Sequence, residues 1–404
     1  MIKRIDESTY QSFQSTYHDS DFFLSVEYGR RLVSNGYQVD YLGYYQDEQL
    51  KACCIFSRQT LMRVFEKGNI TSGMLIDYND RQLVIDFSNA LNKFIKKNFK
   101  KVVYYEIDPK IDLYQHDKDG NVVENGVNNE EIVETLKQAG YHQVSLKNGY
   151  DLTRQSRWIS VLYLDGKTEQ QVYDEFSPKA RQSVNTALKW GTQVRELSYE
   201  ELHIFTDMEK LSSERQNYSP YPLEYYQKYY KDFEDYIKVM YAYIPVEVFK
   251  DVIEKEIEKT QPKVEKRRHS IEDETYLGLL KEKMDMINQM IADGEKELPL
   301  AAGVFILYRD KMNYVFGASN YQYRTLQGPY AIQWEMIKMA IENNCSIYDF
   351  YGISGYFKKG EQGYGVFDYK RGFGAIVREY IGFYLMPVKP LLYKFYNKLK
   401  KIEE

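Results

Sequence analysis

Asp349-Phe-Tyr-Gly-Ile-Ser-Gly-Tyr-Phe357, then Gly365-Val-Phe-Asp-Tyr-Lys-Arg-Gly-Phe373 and Glu379-Tyr-Ile-Gly-Phe-Tyr384, decide how this chain is read. A glycine-punctuated turn, one lysine among aromatics and a closing strand fall within about 35 residues, more special positions than a plain core strand needs. Gly352 and Gly355 let the chain leave a strand and pass close to a ligand or another backbone, with a structural turn as the alternative. Ser354 sits directly before Gly355 rather than at the centre of Gly-x-Ser-x-Gly, and the five scattered histidines offer no triad, so it is not read as a nucleophile. Lys370, flanked by Val366, Phe367, Tyr369 and Phe373, reads as a lysine in an aromatic strand. Held over a cleft it would stabilise a phosphate or a developing oxyanion, and the competing reading is a lysine snorkelling to solvent.

Around this block the chain is 404 residues long, which suggests two or three compact units. Its 43% hydrophobic and 28% charged content is that of a globular protein. Tyrosine is abundant, 40 residues against 20 phenylalanines, and suits cleft walls and interfaces unless it reflects a compositional bias. Cys53, Cys54 and Cys345 form neither a disulfide framework nor a metal-ligand spacing, which fits a reducing compartment. The charged start Met1-Ile-Lys-Arg lacks an apolar leader, and no stretch nears the roughly 18 apolar residues of a membrane span, so a cytoplasmic location is expected. A net charge of −5 argues against coating nucleic acid by bulk positive charge and leaves a local basic groove open.

Periodicity gives an opening helix over 22–35, strands over 39–45 and 49–58, a helix over 81–98 and a strand over 101–107 that stops at Asp108-Pro109. A helix over 130–139 ends at Gly140. The alternation resumes with a strand over 158–164, helices near 169–190 and 200–216, strands over 236–243, 301–307 and 312–318, and a helix over 330–343. Between Pro245 and Glu297 the composition turns charged, and Leu277, Leu280, Met284, Ile287 and Ile291 recur at three- and four-residue spacing opposite a weaker Val248, Val252, Ile257 stripe. This predicts an antiparallel helical hairpin, with Gln261-Pro262 as a break, inserted into an α/β repeat.

Asp108 is a carboxylate at a strand end, where ligands gather in open α/β sheets; a turn-capping aspartate is the alternative. Arg157, Lys179, Arg181, Lys189 and Arg195, interleaved with Trp158 and Trp190, form either a phosphate-neutralising set or a solvated surface. No Walker A sequence and no zinc-ligand spacing occur, so the expected chemistry is electrostatic and positional.

The chain resembles the FemABX aminoacyltransferases. The resemblance is strongest in Gly317-Ala-Ser-Asn320, Gly328-Pro-Tyr-Ala-Ile-Gln-Trp-Glu-Met336, Asp349–Gly355, Tyr369-Lys-Arg-Gly-Phe373 and Glu379-Tyr-Ile-Gly382, and looser at Glu27-Tyr-Gly-Arg30, Ile76-Asp-Tyr78 and Ile107-Asp-Pro109. It implies an α/β fold of two GNAT-like (acyl-CoA N-acyltransferase-like) lobes with an inserted antiparallel helical hairpin, or coiled-coil arm. The lobes would span 1–153 for the first, 154–245 with 298–383 for the second, 246–297 for the arm and 384–404 for a C-terminal helix and tail.

The implied reaction is aminolysis: an amine of a peptidoglycan stem peptide or growing bridge attacks the ester of an aminoacyl-tRNA carrying Gly, Ala or Ser. The tRNA is a co-substrate, and no further cofactor is implied. By position, Lys370 matches the family's lysine for phosphate or oxyanion, and Asp108 matches a candidate base. Arg30 matches a basic residue that some members use on the precursor's phosphates and Tyr225 a cleft tyrosine, with Gly352, Gly355 and Tyr369 completing the expected substrate site. Two departures, Thr71-Ser-Gly-Met74 where many members carry an Arg-Gly-Pro segment and Tyr221 where some carry an arginine, bear on precursor recognition. The acceptor is expected to be lipid II or a UDP-MurNAc-peptide. The basic tail Lys389–Lys401 allows peripheral contact with the inner face of the plasma membrane, with a solvated last helix as the competing and favoured reading, and Fem-type homo- or hetero-association is also implied. The alternatives are an inactive Fem-like scaffold or tRNA-binding protein, and an acetyl-CoA-dependent acetyltransferase, for which Arg371-Gly-Phe-Gly-Ala-Ile376 fails the pyrophosphate-loop pattern at its last position.

Overall fold

The computed structural model describes residues 1–17, 21–61, 63–151, 153–216, 218–266 and 270–400. The chain divides into two compact units, one made of Met1–Leu162, Asp349–Arg371 and the residues from Ala375 on, the other of Tyr163–Tyr348 with Gly372–Gly374.

The first unit is organised by a seven-stranded sheet in the order Ile2–Arg4, Gln38–Gln46, Gln49–Leu61, Phe65–Ile70, Val102–Ile107, Tyr384–Pro387, His142–Gln143. Asp47 and Glu48, at φ of 44° and 62°, make the two-residue turn that joins Gln46 to Gln49, with both central residues left-handed as a twist-matched hairpin requires. Phe65–Ile70 and Val102–Ile107 run parallel, and the helix Arg81–Asn98 supplies the crossover between them.

That helix begins where Asp80 accepts the Leu83 N–H at 2.9 Å and ends with Lys96 and Lys97 in its last turn. Val84, Phe87, Leu91 and Ile95 form its buried stripe and pack with Phe56, Val102 and Tyr105 of the sheet and Ile132 and Leu136 of the helix Glu130–Gln138. The opposite side of the sheet is covered by the helices Glu7–Gln14 and Val26–Ser34 through Tyr10, Val26 and Leu32. Strand Gln49–Leu61 is therefore apolar in both parities: Cys54 and Phe56 belong to one core, Cys53 and Ile55 to the other. The adjacent cysteines are free thiols buried on opposite faces.

Within the same unit, Ile376–Tyr380 pairs antiparallel with Asp112–Gln115 on one side and Trp158–Tyr163 on the other. Glu379 is buried between them, accepting from Arg157 and lying 2.8 Å from His116 Nε2.

In the second unit, Gln193–Glu196, Ile237–Pro245, Glu297–Tyr308 and Lys311–Ser319 pair antiparallel in that order. The helix expected near 169–190 is two, Glu169–Glu175 and Pro178–Lys189, because Ser177 caps the second and Pro178 fits only its first turn. The helices Val246–Val264 and Ile271–Ala292 pack against each other, and Tyr276 donates to Glu256 at 2.9 Å. Pro262 does not break the first of them, which continues to Val264. Its buried positions are Val246, Phe249, Ile253 and Thr260, one step round from the expected valine stripe, and Met290 rather than Ile291 is buried on the second. The aromatic stretch around Lys370 is not a strand: Tyr364–Arg371 is a helix, with Phe367 and Lys370 buried three residues apart on one face.

Truncating Phe87 to Ala removes a fully buried ring from the first unit's core and should cost about 3–5 kcal/mol, read as a lowered urea midpoint.

Candidate active site

Lys370 reaches its position from the last turn of the helix Tyr364–Arg371. Its Nζ donates to the carbonyls of Gly352 at 2.6 Å and Tyr351 at 3.2 Å, and the residue is only 5% exposed. An ammonium has three donors, so one remains after these two bonds. Both carbonyls face the lysine because Tyr351 takes a left-handed backbone, φ 65°, that a bulky residue rarely adopts. Three contacts hold Tyr351 there: its N–H donates to Asp349 Oδ1 at 2.6 Å, its hydroxyl donates to Gln155, and its carbonyl receives Lys370. Burial pushes the Lys370 ammonium down to about 7 despite the opposing pull of Asp349. Burial also pushes the Asp349 carboxyl up to about 6, with the Tyr351 N–H acting against it.

Asp108 follows the strand Val102–Ile107, with Pro109 behind it. Its Oδ1 accepts the Ser72 N–H at 2.9 Å from a loop in which Ser72 and Gly73 have φ of 60° and 82°. A Cβ on Gly73 would lie 2.8 Å from Pro109 Cα, so glycine lets this loop close on the aspartate. Asp108 Oδ2 is buried and accepts no hydrogen bond among the described residues; Lys110 Nζ lies 3.8 Å away. Burial raises this carboxyl to about 6 as well, with Lys110 and the Ser72 N–H opposing.

The two carboxylates share a neighbourhood. Asp21, which caps the turn Phe22–Leu24 by accepting the Phe23 N–H at 3.0 Å, repels both Asp108 and Asp349. Tyr380 shares partners with both: Lys110 sits 4.9 Å from its ring centroid, and Asp349 and Asp21 both act on its hydroxyl, which burial holds far above its ordinary value.

The first unit thus brings Lys370, Asp108, Gly352 and Gly355 into its own fold, with Tyr369 half-buried on the lysine's helix. Gly352 and Gly355 have packing reasons: a Cβ there would lie 2.2 Å from Ser156 Oγ and 2.5 Å from Trp158 Nε1. Arg30 is on the surface, paired with Glu7 at 2.7 Å. Tyr225 belongs to the second unit, stacked on Tyr221 with centroids 4.2 Å apart. Ser354 is fully buried.

The basic set does not act as one surface. Arg157 is held by Glu379, Lys189 by Glu256 at 2.7 Å, Arg195 by Glu201 at 2.9 Å, and Arg181 donates to the Phe176 carbonyl at 2.7 Å. Sequence reading missed Asp349, Tyr351, Ser72, Lys110 and Asp21. Asp349 and Tyr351 lie in the opening motif and Ser72 in the segment Thr71–Met74, whereas Lys110 and Asp21 carry no signal in the sequence.

Fold and site together describe an α/β protein whose buried lysine and carboxylates are placed to stabilise charge and accept protons. The sequence model of the FemAB family matches residues 5–401, and the chain belongs to that family. Aminoacyltransferase FemA of Staphylococcus epidermidis is 30% identical over 372 residues, covering 89% of this chain and 88% of that protein. Aminoacyltransferase FemA of Staphylococcus aureus is 28% identical over 400 residues, covering 95% and 94%. The crystal structure of FemX superposes with a TM-score of 0.75 at 19% identity over the whole of both chains, a likeness of fold.

Lys370 has a folded pKa of about 7, below its unfolded value of 10.5, so the unfolded chain binds more protons between those limits. Stability contributed by this residue should therefore rise with pH from about 7 to 10.5 and be least below 7. Urea midpoints of the wild type and Lys370→Met, measured across that window, should show the wild type gaining on the variant as pH increases. Parallel curves would contradict the buried, depressed lysine.

Proposed function

We infer from family membership across residues 5–401 that the chain is an aminoacyltransferase that transfers amino acids to peptidoglycan precursors. That match is the observation that carries the reading. More specifically, the donor is an aminoacyl-tRNA and the acceptor an amine of the stem peptide or of a growing bridge. The amine nitrogen attacks the ester carbonyl, an oxyanion forms, and the C–O bond breaks to release the tRNA hydroxyl. A peptide bond replaces the ester, and the proton lost by the attacking amine balances the one gained by the leaving oxygen.

In this scheme Lys370 presents its third N–H to the oxyanion or to a substrate phosphate. Its two carbonyl bonds fix the direction of that donor. Asp108 accepts the proton through Oδ2, the oxygen left without a hydrogen bond among the described residues. Arg30, Tyr225, Gly352, Gly355 and Tyr369 are assigned to substrate binding, with Arg30 exchanging Glu7 for an acceptor phosphate. The two units are taken as the GNAT-like lobes, with Asp349–Arg371 and the residues from Ala375 on counted in the first unit rather than in the second lobe and tail as the sequence suggests, and the pair Val246–Val264 and Ile271–Ala292 as the arm. The FemX likeness supports that assignment. The cytoplasm, which supplies charged tRNA, is the proposed location.

The test is transfer of labelled Gly, Ala or Ser from charged tRNA to a lysine-containing precursor. Lys370→Ala should lower kcat by roughly 10²–10³, the usual cost of losing one oxyanion donor. A scaffold would lose nothing. Activity should rise as Asp108 ionises around pH 6 and fall as Lys370 loses its proton above about 7, giving a narrow bell. Asp108→Asn should lower activity and remove the dependence that this residue contributes to the acid limb. An unchanged profile would take Asp108 out of the chemistry.

A further inference from the structure

The helix Pro390–Lys400 has two unlike faces. Inward, Tyr393 and Tyr396 are buried against Tyr104, with ring centroids 5.4 and 6.1 Å from it, in a cluster with Leu61, Val103 and Leu385. Outward, Leu391, Phe395 and Leu399 are 88%, 60% and 60% exposed. A repeat of four residues sets these three along one stripe of the helix, and at 100° per residue Lys394 and Lys398 fall along its border.

Isolated exposed apolar side chains are ordinary; three large ones aligned on an anchored helix are a surface. Its charge says what covers it. The helix contains no acidic residue, and neither Lys394 nor Lys398 has an ion-pair partner among the described residues. A short helix with an apolar stripe edged by lysines matches an anionic lipid surface, where side chains enter the acyl boundary and ammonium groups meet headgroup phosphates. Eleven residues are too few to span a bilayer but enough to lie along one.

We propose that Pro390–Lys400 docks the protein on an anionic membrane, with Leu391, Phe395 and Leu399 inserted and Lys394 and Lys398 at the headgroups. The notion of a basic tail is thereby relocated to one helical face that lies within the described residues; Lys401 lies outside them. The purpose of docking rests on the proposed function, since a lipid-linked acceptor is presented at such a surface, but the docking itself does not.

The test is co-sedimentation of the full chain with phosphatidylglycerol vesicles and, in parallel, with phosphatidylcholine vesicles. The wild type should bind the phosphatidylglycerol vesicles and release from them as salt rises. L391S/F395S/L399S should bind at least about tenfold less while unfolding at the wild-type temperature, because the replaced side chains are exposed. K394E/K398E should lose the preference for the anionic lipid. The proposal falls if the wild type stays in the supernatant, or if the triple variant binds as well as the wild type. It also falls if sedimentation velocity shows a dimer that the triple variant abolishes, because a second copy would then cover the stripe. Transfer to a soluble nucleotide-linked acceptor should survive in the triple variant. Loss of transfer to every acceptor in the wild type would instead sink the aminoacyltransferase reading and leave the vesicle result standing.

Discussion

A buried ammonium bonded to two main-chain carbonyls is the constraint on which the candidate site depends. Removing a lysine from water is costly, and only nearby carbonyl dipoles and carboxylate charge make it tolerable. Tyr351 and Gly352 supply the carbonyls and Asp349 the charge. Turning those carbonyls inward takes a left-handed tyrosine, a conformation costing about 1–3 kcal/mol that persists only where neighbours over-determine it. Asp349, Gln155 and Lys370 itself do so, one on each polar group of Tyr351. The lysine is thereby sensitive to its surroundings: with a folded value of about 7, a small change in burial or in the charge of Asp349 decides whether it is a cation.

Asp108 solves a related problem differently. A carboxylate buried this deeply would ordinarily be surrounded by donors, yet among the described residues only the Ser72 N–H bonds it, and its second oxygen has Lys110 Nζ at 3.8 Å but accepts no hydrogen bond. The bond comes from the segment Thr71–Met74, where Ser72 gives its main-chain N–H rather than its side chain.

Elements carried by local signals were legible in the sequence. The helix Arg81–Asn98 matches to the residue, because a regular apolar stripe and a lysine-rich end lie within its own eighteen residues and the capping Asp80 directly precedes them. The helix holding Lys370 was misread because Val366, Phe367 and Tyr369 favour a strand, while packing of Phe367 and Lys370 on one face overrides that preference. Asp108 was recognised as a strand-end carboxylate, but its Ser72 bond joins residues 36 apart and leaves no trace in spacing. Arg30 matched by position, yet its charge is answered by Glu7, a contact between two helices that no motif announces. Nothing in a Phe-Tyr-Gly sequence marks the tyrosine rather than the glycine as the left-handed residue, so the sequence assigns Tyr351 no role.

The sheet of the first unit also fixes the order in which the chain can acquire its structure. Tyr384–Pro387 is inserted between Val102–Ile107 and His142–Gln143, pairing Tyr384 with Ile107 on one edge and Gln143 on the other. During synthesis the first hundred and fifty or so residues leave the ribosome with those two strands still apart, while the second unit, encoded in between, has its four paired strands complete before the keystone arrives. Folding is thus nested rather than sequential. A nascent or truncated chain that stops short of Tyr384 exposes two unfilled strand edges, Val102–Ile107 and His142–Gln143, to other chains or to chaperones.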